Sequence, residues 1–229
     1  MTVYDDIKVP EVIHEVKSKY NNSLQVIKLG NTLKLRVNGV DQSVNYDSQS
    51  SQNLYWGKIV EIIKEKSPES SKVLLLGMGG GTIVHLLSKA LPDAEIVSIE
   101  IDPEVVKIAK EYFNIDKIPN HTIINEDALL VVVEPEEHDL SLNDFDVIIV
   151  DILAGREFPN LGKTGNFLAA LKRLLTPNGL ILFNRLYTQD HQDDVDLFFE
   201  YVCNFFNDVE EETVAGHTNS DNLIIYGKA

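Results

Sequence analysis

Residues 73–87 read VLLLGMGGGTIVHLL. An apolar run stops at Gly77, three more glycines follow at Gly79, Gly80 and Gly81, and a helix-like pattern resumes after Thr82. A continuous apolar run closed by glycine reads as a strand buried on both faces. Glycines at its carboxyl end let the chain turn tightly and bring bare backbone N–H groups close to a ligand at the helix N-terminus. The same cluster also serves a strand-to-helix turn that binds nothing. The neighbouring strand tips decide between the two.

Downstream, strands and helices alternate. EIVSIE (95–100), HTIINE (121–126), FDVIIVD (145–151) and LILFN (180–184) read as strands. Between them, Asp102-Pro103-Glu104 opens a helix over VVKIAKEYF with a cap, a first-turn proline and an acid against the dipole. NFLAALKRLL is a helix closed by Pro177-Asn178-Gly179, VDLFFEYVCNFF is an amphipathic to mostly buried helix, and VEEETVAG and NLIIYGK are closing strands. Interleaving of this kind predicts an α/β fold, a doubly wound, mostly parallel sheet covered on both faces. Residues 1–50 have a different grammar. Leu33, Leu35 and Val37 alternate with Lys34 and Arg36, Asn38-Gly39 is a two-residue hairpin turn, and Val40, Gln42 and Val44 continue beyond it. This region is expected to be a small antiparallel β-hairpin region over 1–50, with the α/β domain over 51–229. DSQSSQN (47–53) reads as a linker that caps the helix LYWGKIVEIIKEK.

Composition narrows the partners. With 20 Lys+Arg against 36 Asp+Glu, the formal net charge is −16. A chain this acidic, without a basic stripe, is a poor binder of nucleic acid or anionic membrane. No apolar run has the roughly 20 residues of a membrane span, and MTVYDDIKVP lacks the basic and apolar segments of a secretory signal, so a cytoplasmic location is expected. Cys203, the single cysteine, permits no internal disulfide and is expected to be buried. The histidines 14, 85, 121, 138, 191 and 217 show no metal-ligand spacing, and no metal is expected.

The strand tips carry acids. Glu100 ends the second strand about 20 residues beyond the glycines, where a carboxylate can accept both ribose hydroxyls. The dinucleotide fingerprint G-x-G-x-x-G would need a third glycine at position 82, and that residue is Thr82. Glu126-Asp127-Ala128 ends the third strand and Asp151 the fourth. Acids without a phosphate-binding register suit an adenosine compound lacking pyrophosphate, such as S-adenosylmethionine (SAM) or a relative. Glu100 then takes the ribose and Asp127 the adenine amino group. The glycine loop and Asp151 take the sulfonium end.

Over residues 12–227 the chain resembles the spermidine synthase (aminopropyltransferase) family, a branch of the SAM-methyltransferase-like fold, through LKLRVNGVDQS, VLLLGMGGGT, IEID (99–102), ED-A (126–128), FDVIIVD and LKRLLTPNGLILFN in order. The resemblance implies a seven-stranded sheet, a cleft at the strand ends and a homodimer. It places Gln42, Gly77, Gly79, Gly80, Gly81, Glu100, Ile101, Asp127, Ala128 and Asp151 at the nucleoside, and Asp151 with Tyr55 at the chemistry. Three family acids are missing. The aspartate of G-G-G-D-G-G falls on Gly80, the glutamate of Y-H-E on Gly57 after Tyr55-Trp56, and the second aspartate of D-S-S-D-P on Ala154, with Glu157 a nearby substitute. Those acids hold a cationic polyamine and take its proton. Their loss points to a SAM-dependent transferase with a different small-molecule acceptor, most simply a methyltransferase. An aminopropyltransferase using decarboxylated SAM and a non-catalytic nucleoside binder are the alternatives. Arg156 and Arg185, just beyond the fourth and fifth core strands, are candidate rim residues for an anionic acceptor, or else partners for surface acids.

Overall fold

The structure, a computed structural model, describes residues 9–153, 165–188, 192–216 and 221–229. Its first sheet is an antiparallel meander, β1 (Glu11–Val16), β2 (Leu24–Leu29), β3 (Thr32–Val37) and β4 (Val40–Val44), in sequence order. The alternation expected for β3 places Leu35 and Val37 inward, where with Leu24 and Val26 they pack on Val105, Ile108 and Phe113. At the β3–β4 turn both Asn38 and Gly39 take positive φ, as a type I′ hairpin requires.

The segment expected as a linker is a helical turn, α1 (Gln49–Asn53), because Ser48 caps it and Ser51 returns its hydroxyl to the Ser48 carbonyl at 2.7 Å. It turns at Leu54 into α2 (Tyr55–Lys66).

The second sheet has seven strands. In chain order they are β5 (Lys72–Leu76), β6 (Glu95–Ile99), β7 (His121–Ile124), β8 (Phe145–Val150), β9 (Leu175–Tyr187), β10 (Asn207–Val214) and β11 (Asp221–Lys228). Across the sheet they run β10-β11-β9-β8-β5-β6-β7. The pairs β5–β6, β5–β8, β6–β7 and β8–β9 are parallel, and β11 is antiparallel to both neighbours. The connecting helices are α3 (Thr82–Ala90), α4 (Pro103–Phe113), α5 (Ala128–Val133), α6 (Gly165–Leu174) and α7 (Gln192–Phe205). Alternate residues of β5 divide between two cores: Val73 and Leu75 face α2 and α3, Leu74 and Leu76 face α5, α6 and α7. The sheet is thus covered on both faces, as the continuous apolar strands require. Strand order reverses at β5, and crevices at such switch points take ligands.

ALLVVV, although rich in β-branched residues, is helical as α5 because Asp127 caps it, accepting from the Leu129 N–H at 2.8 Å. Two local expectations are corrected. Pro177-Asn178-Gly179 does not separate a helix from a strand. It bulges out of β9, since Leu175 pairs with Phe145 and Leu180 already pairs with Val147. The α7 helix buries only Val195, Phe198 and Val202, and Cys203, on another face, is exposed. Among the described residues no helix is long and apolar enough to cross a membrane.

Candidate functional site

The glycine loop is held from two sides. Gly77 has φ +89°, and a Cβ there would lie 2.2 Å from the Asp151 carbonyl oxygen, so the β5 and β8 tips touch through bare backbone. The N-terminal sheet closes the other side. Gly80 N–H donates to Ser43 Oγ at 2.8 Å, while Thr82 Oγ1 donates to the Val44 carbonyl at 2.6 Å and accepts from its N–H at 3.0 Å. The residue that breaks the dinucleotide fingerprint is therefore the staple between β4 and α3.

Glu100 lies at the β6 tip, its two carboxylate oxygens accepting from the Gly79 and Asp102 N–H groups, both at 3.0 Å. Burial pushes its pKa up against those bonds. Asp102 is fully buried. One of its oxygens caps α4 through the Glu104 N–H at 3.0 Å, and the other accepts from Asn21 Nδ2 at 2.7 Å and from the Ser18 hydroxyl. That clasp draws the β1–β2 turn over the β6 tip.

Asp151 ends β8. Its Oδ1 accepts from Asn184 Nδ2 at 2.6 Å and its Oδ2 from the Tyr55 hydroxyl at 3.4 Å. Burial raises its pKa to about 6, opposed by those two hydrogen bonds. Burial first, and then the Asp151 charge, keeps the Tyr55 phenol protonated.

Together these groups enclose a cavity of about 320 Å³ at the carboxyl ends of β5, β6 and β8. Of the residues expected at the nucleoside and the chemistry, Gln42, Tyr55, Gly77, Gly79, Glu100, Ile101, Asp127, Ala128 and Asp151 line it. Gly80 and Gly81 do not, because Ser43 covers the first and Ile115 the second. Tyr20, Asn21, Ser43 and Trp56 line it without having been marked by the sequence; only their tertiary placement brings them there. The lining includes three carboxylates, Glu100, Asp127 and Asp151, and among the described residues no Lys, Arg or His.

Arg185, expected at the rim, is displaced. Successive strand residues point to opposite faces, so with Asn184 turned to Asp151, Arg185 is buried on the α7 side, its guanidinium 4.4 Å from the centre of the Phe198 ring. Burial lowers its pKa to about 10. Arg156, Ala154 and Glu157 lie outside the described residues. Among the described residues no group of three or more His, Cys, Asp and Glu could hold a metal ion.

Two of the positions where the resemblance leads one to expect acids, Gly57 and Gly80, have no room for a side chain. A Cβ at Gly57 would lie 2.1 Å from the Gln52 carbonyl oxygen, a backbone atom of the α1–α2 corner. At Gly80 it would lie 2.8 Å from Ser43 Cβ. Real Cβ atoms do not approach so closely.

Against known proteins, the chain matches the spermine/spermidine synthase domain over residues 52–229, and it belongs to that family. It is 29% identical over 129 residues to the polyamine aminopropyltransferase of Vibrio vulnificus, covering 55% of this chain and 42% of the relative. It is 30% identical over 122 residues to the eEF1A lysine and N-terminal methyltransferase homolog of Drosophila pseudoobscura pseudoobscura, covering 52% of this chain and 18% of that one. The chain thus spans less than half the length of either curated relative. In fold it resembles a probable spermidine synthase from Corynebacterium glutamicum, with a TM-score of 0.77 and 20% identity, covering 95% of this chain and 80% of the other.

Proposed function

We propose that this member of the spermine/spermidine synthase domain family is a SAM-dependent transferase acting on a small acceptor other than a polyamine, most simply by methyl transfer. The observation that carries the acceptor reading is the filled space at Gly57 and Gly80, where the family's carboxylates would have to stand. Glu100 takes the ribose hydroxyls, Asp127 the adenine amino group, and the Gly77–Gly79 backbone the sulfonium end. Gln42 and Ile101 close the nucleoside in. The acceptor's nucleophilic atom attacks the methyl carbon as the C–S electron pair moves to sulfur, and the acceptor's proton passes to Asp151 beside Tyr55. Most of the rate comes from holding acceptor and sulfonium in line.

A second reading is aminopropyl transfer from decarboxylated SAM. It is favoured by the cavity's charge: the carboxylate of SAM would meet three acids and no basic lining residue among those described, whereas the decarboxylated compound carries none. The Vibrio relative's name supports this reading, and the Drosophila relative's name supports methyl transfer.

Thermal shift with SAM, decarboxylated SAM, methylthioadenosine and NAD, followed by product mass analysis with putrescine and spermidine, separates the readings. Stabilisation by the sulfur nucleosides without consumption of either polyamine is expected. Turnover of putrescine contradicts the acceptor reading. Stabilisation by NAD alone contradicts the ligand.

A further inference from the structure

Two asparagines sit where strand composition calls for apolar residues. Asn184 lies in LILFN on β9 and Asn222 in NLIIY on β11; both are buried, the first completely. In the antiparallel register Asn184 faces Ile224 and Asn222 faces Leu186, which makes the two amides diagonal neighbours on one face of the sheet. A buried amide is tolerated only when its donors and acceptors are matched. Here they are matched in one direction: Asn222 Nδ2 donates to Asn184 Oδ1 at 2.9 Å, and Asn184 Nδ2 donates to Asp151 Oδ1 at 2.6 Å.

The direction follows from the end of the chain. An ionised carboxylate only accepts, so Asn184 must turn its NH2 to Asp151, and its carbonyl then needs a donor from behind. Asn222 supplies it. With Oδ1 of Asp151 committed to Asn184, its Oδ2 is the oxygen turned to the Tyr55 hydroxyl. The structure assigns Asn184 and Asn222 as positioning residues that orient the Asp151 carboxylate and stabilise its ionised form, so that one chosen oxygen serves the cavity. Neither touches a reacting atom: Asn184 acts through Asp151, and Asn222 acts through Asn184. This goes beyond the transferase reading and rests on it only for what Asp151 does afterwards.

The network also explains the division of labour in the sheet. β11 runs antiparallel to the others, so it contributes Asn222 from near its amino end to a site built on carboxyl ends. The titratable groups that face Asp151 are the Tyr55 hydroxyl from α2 and, across the cavity, Glu100 and Asp127; from β9 the facing group is the Asn184 amide.

The test is a carbon-13 NMR titration of the Asp151 carboxyl in the ligand-free full chain, for wild type, Asn184→Leu and Asn222→Leu, beside thermal unfolding of each. Leucine is close to isosteric and suits a buried strand, so the variants separate donor loss from loss of packing. The Asp151 midpoint is expected to rise by about one pH unit in Asn184→Leu, the consequence of removing a hydrogen bond to a charged group. A smaller rise in the same direction is expected in Asn222→Leu, because the Asn184 amide is then free to rotate. Asn222→Gln, which keeps a donor, is expected to restore part of the wild-type midpoint. An unchanged midpoint in both leucine variants overturns the proposal, as does a fall in unfolding temperature with no movement of the midpoint. No nucleoside is present in the titration, so its failure is distinct from a failure of the SAM assignment.

Discussion

On the Glu100 side of the cavity, loop and strand tips leave backbone and carboxylates bare toward the space. Gly77 and Gly79 carry no side chain, Glu100 is pinned by two N–H groups, and Asp127 caps α5 from the wall. By contrast, two described positions where the family resemblance leads one to expect acids are packed shut: Gly57, two residues after Tyr55, against the Gln52 backbone, and Gly80 in the glycine loop against Ser43. The contrast teaches that a side chain at either position would collide with the fold as it stands. Glycine at 57 allows the α1–α2 corner to close, and glycine at 80 allows β4 to lie on the nucleotide loop. Placing a carboxylate at both positions would mean opening the fold in two places.

The largest expected effect tests that packing. Glycine to alanine in a helix ordinarily gains about 1 kcal/mol. Gly57→Ala should instead cost about 3 kcal/mol in urea unfolding, because its Cβ meets a backbone oxygen that cannot rotate away. A variant as stable as wild type would break the contrast. On the open side, Glu100→Ala and Asp127→Ala should each weaken methylthioadenosine binding by about 1–3 kcal/mol in calorimetry, the usual cost of leaving polar partners unmatched. If both bind as well as wild type, the nucleoside roles are wrong.

Asp151 sharpens the boundary between the halves. Its pKa rises from 3.8 to about 6 in the fold, so between those values the native state binds more protons than the unfolded chain. Its contribution to stability therefore falls as pH rises through that window, and the cost of the buried charge is fully present above it. Asp151→Asn should be more stable than wild type by roughly 1–3 kcal/mol at pH 8, an advantage that fades below about pH 5. His121, held near 4 by burial, works oppositely, since the unfolded chain takes its proton first as pH falls below the ordinary value. The Asp151 effect must therefore be read as a difference between variant and wild type at each pH. The smallest effect belongs to Ser43→Ala, which leaves the Gly80 N–H without its partner and should cost about 1 kcal/mol.

What could be read from the chain was whatever local pattern dictates. VLLLG, EIVSIE and FDVIIVD are apolar without interruption, and only a sheet covered on both faces buries such runs; the hairpin at Asn38-Gly39 needs no partner to be recognised. Glu100, Asp127 and Asp151 were visible because strand ends are visible. The remainder depends on distant contacts. An asparagine inside NLIIY reads as an interruption until β11 is laid against β9. Arg185 and Asn184 are equally near the strand end, and only the side-chain alternation sends Asn184 to Asp151 and Arg185 beneath α7. Ser43 and Thr82 gain meaning only where β4 meets the glycine loop and α3, and α1 was hidden because a polar five-residue helix has no apolar period to show.

The most direct measurement is a crystal structure of the full chain grown with methylthioadenosine. The expected result places the ribose hydroxyls on Glu100, the adenine amino group on Asp127, and the sulfur beside Gly77 facing Asp151 and Tyr55. Density for the nucleoside elsewhere, or a cavity left empty and closed by its own side chains at saturating ligand, would contradict it.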